Sequence, residues 1–299
     1  MKPVSIIEFP FNLGLKAQAG REPGVHKLPA WLKQHGFHDR IAATMIDDLP
    51  APPYRMDMEP GQPVLNTGHI VAYAQLQGPL IHKALAAGSF PLVIGGDCSI
   101  SLGITLALKK LGKFALFYLD GHTDFMGHEL SGTKAAGGMV AAMAAGQGPD
   151  MLVNIDHEKP YIQEEHVCCV GNREYDEAYE DAIRFSKATY VSLAMLRGKG
   201  IVPVITSFLD MVNREELDGF WLHIDVDVLA DELMPAVDSR TAGGLVYEEF
   251  NELLGLLLAS PKIAGLGITI LDPGLDSTGK YTKDFVHHFT NTFNAAMQK

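Results

Sequence analysis

Three strand-like runs in this chain break off into polar residues that can bind metals, and no other feature limits the fold as much. Phe114–Leu119 is continuously apolar and stops at Asp120-Gly121-His122-Thr123-Asp124. Phe90–Ile94 runs into Gly95-Gly96-Asp97-Cys98-Ser99, and Phe220–Ile224 runs into Asp225-Val226-Asp227. Short runs of this kind, without polar alternation, are expected of strands buried on both faces of a sheet. Such sheets are parallel and covered by helices, and their ligands bind beyond the carboxyl ends of the strands.

The rest of the chain supplies the partners. Further strands are expected at Val4–Phe9, Ile41–Met45, His166–Val170 and Ile263–Leu271, with a weaker candidate at Tyr190–Leu193. Helical periodicity covers Leu28–His35, His69–Ala87 (closed by Gly88), Ser101–Leu111, Ala135–Gly146, Glu177–Phe185, part of Pro203–Arg214, Tyr247–Ala259 and Tyr281–Gln298. Leu49–Leu65 holds five prolines and reads as an irregular surface excursion. Strand and helix alternate throughout, the pattern of a three-layer α/β/α fold around a doubly wound parallel sheet. No repeat or linker divides the chain, so residues 1–299 are expected to form a single domain.

The balance of charges is 24 basic against 36 acidic residues, a formal net charge of −12, which argues against nonspecific binding to nucleic acid or to an anionic membrane. Three cysteines make no disulfide framework, and the adjacent Cys168 and Cys169 are expected on opposite faces of one strand. No leader pattern and no apolar run of spanning length is seen, so the expected compartment is the cytoplasm.

The chemistry lies at the strand tips. Asp120, His122 and Asp124 stand at i, i+2 and i+4, and converge if the chain turns there. Asp225 and Asp227 end a second strand, and Asp97 and Cys98 a third. An isolated Asp-x-Asp after a strand is commonly a turn or a helix cap. Three such tips in one chain favour a shared site instead. Carboxylates with an imidazole suit hard or borderline divalent ions such as Mn²⁺, and the ions would relieve the mutual repulsion of the buried acids.

These blocks, Gly95-Gly96-Asp97-Cys98-Ser99-Ile100-Ser101, Asp120-Gly121-His122-Thr123-Asp124 and Asp225-Val226-Asp227, resemble in order and spacing the signature blocks of the ureohydrolases, the arginase and agmatinase superfamily. Fainter echoes at Asn12-Leu13-Gly14, Gly171-Asn172-Arg173, Pro235, Gly243-Gly244-Leu245 and Asp272-Pro273 extend the resemblance over most of the chain. The resemblance implies a parallel sheet of about eight strands and two Mn²⁺ ions bridged by a hydroxide that attacks a guanidino or amidino carbon. It also implies a homo-oligomer, a trimer or hexamer. Carried over by position, Asp120 and Asp225 bridge both ions. Asp124 and Cys98 complete one ion's ligands, and His122 and Asp227 complete the other's. Asp124 also serves the attacking water.

The chain departs from the family pattern at three places. Cys98 stands where the family carries His, and a thiolate favours Zn²⁺ or Fe²⁺ over Mn²⁺. Gly137-Gly138-Met139 stands where arginases carry a proton-shuttling His, leaving His128, or Lys134, as the acid/base candidate in that loop. Ile270 stands where arginases place a Glu against the substrate guanidinium, with Asp272 and Asp276 just beyond it. The expected function is therefore a C–N hydrolase with an altered substrate pocket. The alternative is a catalytically degenerate relative that acts as a binding or regulatory subunit.

Overall fold

The computed structural model describes residues 2–174 and 176–298. Eight strands form one sheet: β1 (Val4–Glu8), β2 (Met45–Asp48), β3 (Phe90–Ile94), β4 (Phe114–Leu119), β5 (Val167–Val170), β6 (Thr189–Val191), β7 (Gly219–Asp225) and β8 (Ile263–Thr269). Their order is β2-β1-β3-β8-β7-β4-β5-β6, and every pairing is parallel. The three strands that carry the polar tips, with β8, are thus the four adjacent central strands. Because all run the same way, their carboxyl ends share one edge.

Both faces of the sheet are dry, because strand side chains alternate between them. Phe117, Cys168, Leu222 and Ile224 point into one apolar layer; Leu116, Tyr118, Cys169 and Trp221 point into the other. The first layer is closed by helices that include Ile201–Arg214, Tyr247–Leu258 and Lys280–Met297, and the second by helices that include Thr67–Ala86 and Ser101–Lys109. Tyr247–Leu258 shows why such segments are helical. Phe250, Leu253, Leu254, Leu257 and Leu258 recur at three- and four-residue steps and are all buried, while Glu249 accepts a hydrogen bond from the backbone N–H of Val246 at the amino end. The result is the expected three-layer α/β/α fold. Among the described residues no helix is long and apolar enough to cross a membrane.

Several boundaries differ from the sequence expectation. The second strand is Met45–Asp48 and not Ile41–Met45, because Phe37 and Ile41, four residues apart, are the buried face of a short helix. Leu193 opens a helix, Leu193–Lys199, instead of ending a strand, with Ser192 Oγ accepting from the N–H of Met195. The small-residue stretch 135–146 is one 3₁₀ turn, Gly137–Met139, and a short helix, Val140–Ala144.

The tip of β3 is clamped by the loop after β1. The N–H of Asp97 donates to Phe11 O at 2.9 Å, and a Cβ on Gly96 would stand 1.6 Å from that same carbonyl. A backbone atom cannot step aside as a side chain can. Gly96→Ala should therefore destabilise the fold by about 2 kcal/mol or more, whereas Gly132→Ala, with nothing within 4 Å of the added carbon, should be close to neutral. Thermal melting of the two variants checks this, and equal melting temperatures would refute it.

Candidate metal centre

The register of the central strands sets the polar tips level. Leu119 pairs with Ile224, so Asp120 and Asp225 leave β4 and β7 side by side, and Asp225 itself pairs with Thr269 of β8. The turn after β4 is then tight. A Cβ on Gly121 would lie 2.3 Å from Arg173 Nη1 and 2.8 Å from Asp227 Oδ1, so this position has room for glycine only. The N–H of Gly121 donates to Asp227 Oδ1 at 2.9 Å, and the N–H of His122 donates to Asp120 Oδ1 at 2.6 Å. His122 Nδ1 lies 2.8 Å from Asp227 Oδ2 and 3.7 Å from Asp120 Oδ1.

Asp124 reaches the same place by a strained backbone, with φ at 44°, and Tyr118 from inside β4 donates its hydroxyl to Asp124 Oδ2 at 2.7 Å. Asp225 Oδ1 accepts the N–H of Asp227 at 2.8 Å. Arg173 braces the third tip from behind, donating through Nη2 to Asp227 O at 2.8 Å and to Thr241 O at 3.0 Å.

Two sets of donor atoms emerge, each with its atoms within 4.8 Å of one another: Asp120, His122 and Asp227, and Cys98, Asp120 and His223. Asp120 belongs to both. His223, buried inside β7, is a donor that the apolar run Phe220–Ile224 conceals in the sequence. The available signal was the period of two that sets His223 and Asp225 on the same face of their strand.

The electrostatics are those of acids crowded out of water. Burial, and then the neighbouring Asp227, raises the Asp120 carboxyl from 3.8 to about 7. Burial likewise pushes Asp124 and Asp225 well above the carboxylate range, reinforced by Asp120 and by Asp227 respectively. Burial also lifts the Cys98 thiol, with Asp225 adding to it, and lowers His223 to about 3. Burial alone would lower His122, but Asp227 and Asp120 together outweigh it and keep the ring protonated. Asp120 Oδ2, fully buried, meets no hydrogen-bond partner among the described residues. An orphaned carboxylate oxygen at the junction of two donor sets is the place a divalent cation would occupy, so these residues fit the ions that the sequence pattern implies.

The tips open into a cleft of about 370 Å³ whose lining includes Cys98, His122, Asp124, Asp225, Asp227 and Ile270. Of the other candidates, Asp97 turns away and accepts from Gly14 N at 2.9 Å and Ser99 N at 2.8 Å. His128 is absent from the cleft lining; its side chain is 36% exposed and lies 3.4 Å from Glu129. Lys134 Nζ donates to His128 O at 2.8 Å. Asp272 is held by Arg21 and Gly24, and Asp276 by Thr282, so neither supplies a free charge at the cleft. Glu174 and Asp238, which no sequence pattern singled out, do line it.

The sign of the pH dependence follows. Between 3.8 and about 7 the folded protein retains a proton on Asp120 that the unfolded chain releases, so stability falls as pH rises across that window. His122 acts in the same sense above 6.5, its raised proton affinity being lost only at higher pH, and the raised Asp124 and Asp225 carboxyls add to it; together they outweigh His223, whose lowered proton affinity favours the fold as pH rises towards 6.5. The chelator-treated protein should therefore melt at a lower temperature at about pH 8 than at about pH 5. Divalent ions, which need deprotonated ligands, should restore more of that loss at the higher pH. A melting temperature of the chelated protein that climbs over this interval would contradict the assignment.

The sequence pattern of the arginase family matches residues 2–293. An arginase from Bacillus caldovelox is 30% identical over 288 residues, 94% of each chain. An arginase from Bacillus subtilis is 28% identical over 290 residues, 95% of each chain. The native crystal structure of the Bacillus caldovelox arginase superposes with a TM-score of 0.86 at 26% identity, covering 98% of both chains. With the pattern spanning nearly its whole length and the same fold behind it, this chain belongs to the arginase family.

Proposed function

We propose that the chain, as one domain over residues 1–299, is a metal-dependent hydrolase of the ureohydrolase type that cleaves a C–N bond at a guanidino or amidino carbon. Its strongest support is the membership of Asp120 in both donor sets at the floor of the cleft. In this proposal Cys98, Asp120, His122, Asp124, Asp225 and Asp227 hold two divalent ions. Mn²⁺ is the ion the family resemblance implies, and Zn²⁺ or Fe²⁺ is favoured to the extent that Cys98 ligates. When bound, the ions supply a more acidic water and stabilise charge that develops on the substrate.

The remaining chemistry belongs to the chain. Asp124 Oδ2 is occupied by the Tyr118 hydroxyl, which leaves Oδ1 to take the proton of the attacking water. In the His-Gly pattern the shuttle His falls on Gly137, which bears no side chain, and the next residue, Gly138, adjoins Asp124, a Cβ there standing 3.9 Å from Oδ1. Asp124 therefore passes its proton to the leaving nitrogen itself. His128, outside the cleft lining, would need to reach in from the loop to share that task.

The substrate is not held as in standard arginase. Ile270, just after β8, has φ at 79°, a conformation that costs a β-branched residue about 1–3 kcal/mol, and puts an apolar side chain into the lining where the family Glu would meet a guanidinium. A cytoplasmic trimer or hexamer, as the resemblance implies, completes the proposal. The missing His at Gly137 together with Ile270 also favours a second reading, a metal-loaded binding or regulatory subunit without turnover.

Urea and ammonia release from a panel of guanidino and amidino compounds separates the two. Turnover of at least one compound is expected, with arginine a poor substrate. Asp120→Ala should lose bound metal and at least about a hundredfold in rate. Silence across the panel at full metal loading would favour the binding subunit, and undiminished metal in Asp120→Ala would remove the basis of both.

A further inference from the structure

His223 occupies a position that a buried core residue does not need. It lies within a strand that is otherwise apolar until Asp225 at its end, and its ring is fixed on three sides. Tyr118 stacks on it at 4.1 Å with the planes 9° apart, and Ser101 Oγ lies 3.0 Å from Nδ1. Thr269 Oγ1 lies 3.4 Å from Nε2 and also 3.3 Å from Cys98 Sγ, and so links the ring to the cysteine. Cys98 Sγ in turn is 3.0 Å from Asp225 Oδ2. Hydroxyls at both ring nitrogens, an aromatic wall, and a ring nitrogen within 4.8 Å of the Cys98 sulfur and of an Asp120 carboxylate oxygen form the arrangement that orients a ligating imidazole. A histidine placed only to fill the core would need partners for its nitrogens, but no clustering of a ring nitrogen with sulfur and carboxylate donors.

We propose that His223 is a metal ligand, and that Cys98, Asp120 and His223 form a sulfur, oxygen and nitrogen half-site chemically distinct from the Asp120, His122 and Asp227 half-site. The first takes a borderline ion, Zn²⁺, Fe²⁺ or Co²⁺; the second, with one nitrogen and two carboxylates, accepts Mn²⁺. The two half-sites, which share Asp120, would then hold unlike ions. This rests on the metal centre argued above and adds a ligand and a selectivity to it.

Cobalt is the probe, because thiolate ligation gives a near-ultraviolet charge-transfer band independent of turnover. Chelated protein titrated with Co²⁺ should take up two equivalents and develop that band, and Cys98→Ser should abolish it. His223→Asn should weaken one equivalent by at least about tenfold and shift the band, leaving the other equivalent intact as evidence that the fold survives. Zinc X-ray absorption on the unaltered protein needs no substitution, and should count one sulfur and two imidazoles for every two ions. A His223→Asn titration identical to the parent, or a single imidazole for two zinc ions, overturns the proposal alone. A parent protein that binds no ion overturns the metal centre with it.

Discussion

The mutual repulsion of buried carboxylates around Asp120 governs this molecule. Asp120, Asp124, Asp225 and Asp227 are all nearly inaccessible to water, and close protein cations are few. His122 is held protonated between Asp120 and Asp227, and Arg173 reaches the backbone of Asp227 rather than the acids of the cleft floor. That leaves Asp225 with the Cys98 thiol, Asp124 with the Tyr118 hydroxyl, and Asp120 Oδ2 with nothing. Neutral donors of this kind satisfy geometry and do little for charge. A fold that concentrates acids in this way is stable without added cations only by keeping them protonated, and it becomes a cation site once they ionise.

Topology makes the concentration possible. Only a parallel sheet aligns the carboxyl ends of β3, β8, β7 and β4 on one edge, and only dry packing on both faces removes the water that would screen them. The supporting residues are accordingly packing residues with a second task. Tyr118 is part of the apolar layer beneath β4 and still donates to Asp124; Gly121 leaves space for Arg173; Gly96 lets the loop after β1 close on the tip of β3. The strain at Asp124 and Ile270, two non-glycine residues with positive φ, sits at this edge and is held there by the surrounding hydrogen bonds, such as that from Ile270 N to Gly96 O at 2.8 Å.

What the sequence discloses follows from the same physics. β3 and β4 match their expected limits because a strand buried on both faces must be apolar at every position, which leaves a sharp edge where the ligands begin. The second strand was misplaced because it is peripheral and half-exposed, with alternating burial, so Phe37 and Ile41 competed for it with a helical pattern. His128 was attractive by nearness in sequence to Asp124, yet the loop carries it outside the cleft lining. His223 was overlooked for the opposite reason. Its strand was read as a single buried run, and its link to Cys98 depends on the pairing of β7 with β8 and the reach of Thr269, neither of which is written locally.

The two departures nearest the donor sets then bear on different steps. At the floor, Cys98 beside His223 would, in the proposed centre, alter which ion is preferred while leaving Asp120 shared between the two donor sets. At the wall, Ile270 would, in the proposed reading, leave a substrate cation without a counter-charge, and it belongs to neither donor set. In the proposed centre, ion choice and substrate choice are therefore separable, the first set by side chains at the strand tips and in β7, the second by a residue just after β8. Change at the wall costs the metal core little, which is the physical condition under which one fold can keep its hydrolytic centre and exchange the molecule it acts on.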